Sequence, residues 1–253
     1  MTPRQAVERF HLVFLKHFTR TVSPGTICLK GGVNLRLYHG SPRLSEDMDF
    51  DVRVVAKETL KKNVNKTLAA QPLVAELSAA RIALGEVSAL KQTDTTQRWK
   101  FDVLHENQRI ATRLEFSRRK QEEPFDEHVI EPPAAALLGA YQLAPFLFPH
   151  YCPSAAYRQK INALATRKHA QARDVFDLQL LLPQATAGRN SSPALLEQAL
   201  EQLSTISLAM FRDQVVPFLP ADLAGYYASG ETWSRMKESV RAELTSALAS
   251  AVP

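Results

Sequence analysis

Residues 28–52 read CLKGGVNLRLYHGSPRLSEDMDFDV, and two features of that stretch decide the fold. A short apolar run closes on Gly31-Gly32, and fifteen residues beyond the second glycine comes Asp47, then Asp49 after one apolar residue. Glycine lets a backbone approach a phosphate closely and take angles other residues avoid. Residues 47–54 alternate, which predicts a strand with Asp47, Asp49 and Asp51 on one face and Met48, Phe50 and Val52 on the other. Aligned carboxylates repel one another, so a protein that clusters them usually supplies a cation. Oxygen-only ligands suit Mg²⁺ or Mn²⁺ sharing phosphate oxygens with a nucleotide. Taken singly, the aspartates describe a solvated strand face and the glycine pair a tight strand-to-helix turn. Together they point to nucleotidyl transfer.

Outward from this stretch, Val7, Phe10, Phe14 and Phe18 recur at helical spacing, predicting an amphipathic helix over 3–20 that ends at Ser23-Pro24-Gly25. A strand over 26–29 leads into the glycines, and a helix is expected over 34–39. Residues 57–80 read as helical. Two β-prone runs, 99–104 and 109–117, flank a polar turn and predict a hairpin. On its second strand Ile110, Thr112, Leu114 and Phe116 share one face, leaving Arg113, Glu115 and Ser117 on the other. Glu115 is the expected third metal ligand beside Asp47 and Asp49, against an ion pair with Arg113 or Arg118 as its rival role. Asp102 is a weaker choice of ligand. Beyond residue 131 strand signals fade and Ala and Leu dominate, so the lobes divide near residue 130: a core lobe over 1–130 and a helical lobe over 131–253 completing the nucleotide and acceptor site.

A second charged block, YRQKINALATRKHAQARDVFDLQLLL, spans residues 157–182. Lys160, Arg167 and Asp174 lie seven residues apart, and an unbroken helix would separate the first from the last by about 21 Å. If both serve one site, the helix must break near 167–171. Lys160, Arg167 and Arg173 could set positive charge against a triphosphate, the arginines in bidentate geometry. The structural alternative is a surface helix with Arg173 and Asp177 paired at i, i+4.

Composition narrows the class. At 253 residues, 45% hydrophobic and 23% charged, the chain is expected to be globular, with no apolar run near the roughly 18 residues of a membrane helix. Two cysteines and no signal-peptide core fit a reducing cytoplasm. The formal charge of +5 mildly favours a nucleic-acid partner, with Arg118, Arg119 and Lys120 a plausible start for its path.

The two blocks together resemble the AbiEii family of nucleotidyltransferase toxins of type IV toxin–antitoxin and abortive-infection systems. The family pattern G-G-[ST]-x-L, then R-x-S-x-D-[IML]-D-[FL], is matched by GGVNL at 31–35 and RLSEDMDF at 43–50. Its later K-[IL]-x-A-L-x-x-R and R-D-x-[FY]-D-L are matched by KINALATR at 160–167 and RDVFDL at 173–178. Val33 departs from the pattern, lacking the hydroxyl that Ser or Thr would turn to a phosphate. The resemblance implies an α+β protein: a polymerase-β-like nucleotidyltransferase lobe with a mixed sheet, followed by an all-helical lobe. It implies Mg²⁺ or Mn²⁺ on Asp47, Asp49 and Glu115, an NTP against Gly31, Gly32, Ser45, Lys160 and Arg167, and a requirement for Lys160 and Asp174. It also implies an RNA acceptor, in relatives the tRNA 3′ end, and an AbiEi-type antitoxin as partner. Transfer to a protein or small molecule, or a catalytically weak nucleotide- or RNA-binding module, are the alternatives.

Overall fold

A computed structural model describes residues 1–118, 128–185 and 191–251. Arg119 and Lys120, read above as part of an RNA path, lie outside them. The chain forms two compact units: residues 1–40 with 44–151, and residues 41–43 with 152–253.

The first unit is a mixed sheet backed by helices. Helix α1, Pro3–Phe18, is opened by a capping box between Thr2 and Gln5. Then come β1 (Ile27–Lys30), α2 (Gly31–Tyr38), β2 (Asp47–Val52), α3 (Lys57–Leu68), α4 (Gln71–Ala79), β3 (Ile82–Leu84) and β4 (Ser88–Gln92). The hairpin β5 (Thr96–His105) and β6 (Gln108–Ser117) follows, then β7 (His128–Glu131), α5 (Ala135–Ala140) and β8 (Phe148–Tyr151). The sheet order is β3-β5-β6-β2-β1-β8-β7, with β4 also pairing β5. Strand pairs β2–β6 and β1–β8 are parallel, the others antiparallel.

Alternation decides which sheet face is buried. Met48, Phe50, Leu114 and Phe116 are fully buried, as are Phe10, Phe14 and Phe18 of α1. Phe50 and Phe116 stack at 4.6 Å, and Phe18 meets Phe116 edge-on at 5.8 Å. Rings of this size each contribute roughly 2–3 kcal/mol on burial. The aromatic stripe of α1 therefore fixes the opposite, charged face of β2 and β6 toward the exterior of the sheet.

Three sequence expectations change in the structure. The helix expected over 57–80 is two helices, because Pro72 in the first turn of α4 cannot continue the hydrogen-bond ladder of α3. Helix α2 begins at Gly31 rather than residue 34. The division expected near residue 130 falls after Tyr151, since β7 and β8 pair with each other and β8 joins β1 at Leu29–His150. Strand β8 is buried on both faces and carries Pro149, so it shows neither alternation nor an unbroken β-prone run.

The second unit is helical throughout its described residues: α6 (Pro153–Thr166), α7 (Ala172–Leu181), α8 (Pro193–Thr205), α9 (Leu208–Gln214), a 3-10 turn (Val216–Phe218), α10 (Ala221–Tyr227) and α11 (Gly230–Ala251). Leu164, Leu178, Leu196, Leu203, Phe211 and Leu244 are fully buried, and Phe211 packs on Trp233 at 4.9 Å. Among the described residues no helix is long and apolar enough to cross a membrane.

Candidate active site

The charged face of the first unit is ordered by strand register. In the parallel pair β2–β6, Asp47 lies beside Arg113 and Asp49 beside Glu115. In the antiparallel pair β5–β6, Lys100 lies beside Arg113 and Arg98 beside Glu115. Register partners present their side chains on the same face. Two rows result: Asp47, Arg113 and Lys100, then Asp49, Glu115 and Arg98.

The glycine turn abuts this face. Gly31 holds φ at +71°, a left-handed backbone angle that disfavours a side chain, and a Cβ there would stand 3.1 Å from Asp49 Oδ2. Glycine is thus required twice over, by its backbone angle and by the neighbouring carboxylate. Gly32 is the second residue of α2. No side chain caps the start of α2 at Lys30, and its first turn holds no acidic residue. An uncapped helix start offers backbone N–H groups and a positive dipole end to an anion. Ser45 donates its hydroxyl to the Asp47 carbonyl at 3.0 Å, bracing the entry to β2. Val33 is buried in the apolar core, so that position serves packing here.

Asp47 and Glu115 have basic company. Arg113 Nη2 lies 2.5 Å from Asp47 Oδ2, and its Nε lies 3.7 Å from Glu115 Oε2. Arg98 approaches the same Glu115 oxygen with Nε at 2.7 Å and Nη2 at 2.5 Å. Asp51 is buried, accepting from the Tyr151 hydroxyl at 3.0 Å and facing Lys30 Nζ at 2.5 Å, so both Asp51 and Lys30 have structural work. Asp102 is paired with Arg109 across the hairpin at 2.9 Å. Arg118 binds Gln97 and the Val55 carbonyl rather than Glu115.

Among the described residues no three His, Cys, Asp or Glu side chains are gathered tightly enough to hold a cation as they stand. The donor set nevertheless fits a hard divalent ion. Asp47, Asp49 and Glu115 offer oxygen only, on adjacent strands, with Asp47 and Glu115 part-exposed at 35% and 25%.

The second unit gathers the later block. Helices α6 and α7 are separated at residues 167–171, the break required for Lys160 and Asp174 to meet. Lys160 Nζ lies 3.1 Å from Asp174 Oδ1 and 2.6 Å from Asp177 Oδ2, while Arg167 Nε donates to Asp174 Oδ2 at 2.8 Å. Asp174 and Asp177 are fully buried. Arg43 completes the cluster, its Nη2 3.2 and 3.1 Å from the two oxygens of Asp177. Burial works to raise the Asp177 pKa, but the Arg43 and Lys160 charges outweigh it and hold the carboxyl below its ordinary value. Burial lowers the pKa of the Arg173 guanidinium, against the pull of Asp174. Sequence reasoning missed the Arg43–Asp177 pair because 134 residues separate its members, although both stand inside the quoted motifs. It also missed Arg98, whose signal was its register on the hairpin.

A carboxylate-bearing strand beside a glycine-opened helix, on a mixed sheet, is the architecture of a nucleotidyltransferase. The chain belongs to the AbiEii family: the family described as nucleotidyl transferase AbiEii toxin, type IV toxin–antitoxin system, matches residues 13–249. Its fold is similar to that of MenT4, a nucleotidyltransferase toxin from Mycobacterium tuberculosis H37Rv, at 17% identity and TM-score 0.62, covering 98% of this chain and 93% of that one. It is also similar to JHP933 from Helicobacter pylori, at 18% identity and TM-score 0.55, covering 97% and 96%. None of the curated protein sequences matches the chain.

Proposed function

We propose that this nucleotidyltransferase is a metal-dependent toxin that moves a nucleoside monophosphate from an NTP onto RNA, at the 3′ acceptor end of tRNA, and releases pyrophosphate. Adding a nucleotide there blocks aminoacylation and so translation. A cognate antitoxin of the AbiEi type restrains it. The observation that carries the reading is the register of Asp49 with Glu115, beside Asp47 and against Gly31 at the uncapped start of α2.

In this reading Asp47, Asp49 and Glu115 hold Mg²⁺ or Mn²⁺, which supplies positive charge for the pentavalent transition state and the departing pyrophosphate. The residues of the chain bind and orient. Gly31 and Gly32 admit the triphosphate to the N–H groups of α2. Ser45 fixes where β2 begins, and so where Asp47 and Asp49 stand. Positioning of this kind, with fixed electrostatics, accounts for most of the rate in phosphoryl transfer. In the second unit, three cations around two carboxylates leave surplus positive charge at Arg43, Lys160 and Arg167, suited to an anionic nucleotide.

The test is incubation of the full chain with total tRNA, Mg²⁺ and each α-³²P-labelled NTP in turn, with Asp49→Ala as control. Label on tRNA that disappears in the variant supports the reading and names the nucleotide. Label on protein or a small molecule instead rejects the RNA acceptor, and equal labelling by Asp49→Ala rejects the site.

A further inference from the structure

We infer that Arg98 and Arg113 are exchangeable counter-ions of the metal-binding carboxylates, holding Asp47 and Glu115 while nucleotide is absent and turning to phosphate oxygens when metal-bound nucleotide arrives. The inference rests on the assignment of Asp47, Asp49 and Glu115 as metal ligands.

Register brings Asp49 and Glu115, two carboxylates, side by side on neighbouring strands, an arrangement that repels. The chain answers with two guanidiniums aimed at one oxygen, Glu115 Oε2, at 2.5 Å from Arg98 and 3.7 Å from Arg113, the latter also 2.5 Å from Asp47. A guanidinium keeps its proton at any working pH, so it cannot make way by titrating. A divalent cation that claims these oxygens must displace it.

Displacement is cheap here. All four side chains are 23–35% exposed, and solvent screening weakens ion pairs that are open to water to that degree. A released arginine swings on a long stem and presents a fork that fits phosphate oxygens in bidentate fashion. Metal alone must expel the arginines with nothing to offer them, whereas metal with nucleotide supplies their new partner. Metal and nucleotide therefore bind with positive coupling, each raising the affinity of the other by the same factor. A static structural pair predicts no such coupling.

The test measures free Mn²⁺ by electron paramagnetic resonance with the full chain, alone and with each α,β-methylene nucleoside triphosphate in turn. Arg98→Gln and Arg113→Gln should each bind Mn²⁺ alone about tenfold more tightly than the parent, since a competing positive charge is gone. Both should bind the triphosphate more weakly, by about tenfold, with the coupling reduced. Folded variants with parental Mn²⁺ affinity and parental coupling overturn the inference. If the glutamine variants fail to fold, Arg98→Lys and Arg113→Lys keep the charge and lose the fork. These should retain parental Mn²⁺ affinity but bind the triphosphate less well, and parental triphosphate affinity overturns the inference. Asp49→Asn separates the two levels. If it binds Mn²⁺ like the parent with nucleotide present, the metal assignment falls and the counter-ion role falls with it. If it loses Mn²⁺ while the arginine variants behave as the parent, only the counter-ion role fails.

Discussion

The two charged clusters use the same residue types and differ in burial. On the β2–β6 face, Asp47 and Glu115 keep about a third and a quarter of their side-chain surface in solvent. In the helical unit Asp174 and Asp177 keep none. An exposed pair contributes little to stability and can be exchanged, whereas breaking a buried pair strands a charge away from water. Residues that look alike in sequence therefore divide between ion pairs open to solvent and ion pairs shut away from it.

The sharpest way to break this comparison is Asp49→Ala. We expect transfer to fall by about a thousandfold or more while the melting temperature holds or rises, because removing one of two adjacent carboxylates relieves repulsion. A large loss of stability with activity retained would reverse the assignment of the two clusters. Asp177→Ala should do the opposite, costing about 3–5 kcal/mol in urea unfolding because Arg43 and Lys160 lose a buried partner. A cost near zero would make the helical cluster as exchangeable as the strand one. Gly31→Ala should cost about 1–2 kcal/mol from its left-handed backbone angle, and a larger share of transfer than of stability because the new methyl crowds Asp49. Unchanged transfer would separate the glycine turn from the carboxylates.

Acid should also distinguish the units. Burial pushes His11 in α1 down to about 3, with a hydrogen bond to the Glu46 backbone acting the other way. Its folded pKa lies below its unfolded value, so the stability tied to its neutral form is complete above pH 6.5 and is lost as pH falls from there toward 3. The slope is about 1.4 kcal/mol per pH unit. Asp177, also depressed, keeps its contribution until pH falls below its ordinary value of 3.8. The two tryptophans report separately, Trp99 from β5 and Trp233 from α11. With Trp233→Phe and Trp99→Phe variants, Trp99 fluorescence should change at higher pH than Trp233, and His11→Asn should narrow the gap. Coincident transitions would contradict this assignment.

How much of this was legible follows from the distance over which each signal acts. Alternation along 47–52 and 109–117 placed Asp47, Asp49 and Glu115 on one kind of face, because strand faces are a local property. The i, i+7 spacing within the second block called for the helix break found at 167–171 only on the premise that Lys160 and Asp174 share one site. Strand order and the Arg43–Asp177 pair are long-range facts, set by packing rather than by neighbours in sequence. Strand β8 hid because a strand buried on both sides, with a proline in it, carries no periodicity to read. The pairing of Asp177 with Arg43 and Lys160, instead of with Arg173 one turn away, shows burial outweighing helical proximity.

Residues 41–43 belong to the helical unit although they are made before most of the sheet. During translation Arg43 leaves the ribosome 134 residues ahead of Asp177, a lag of roughly 7 to 27 seconds at ordinary elongation rates. Throughout that interval Arg43 is without the Asp177 carboxylate that it meets in the folded protein. A chain ended between Glu115 and Asp177 carries Asp47, Asp49 and Glu115 but not the carboxylate that Arg43 meets in the folded protein, so the last partner of a residue four places before the aspartate strand is among the later residues to be made.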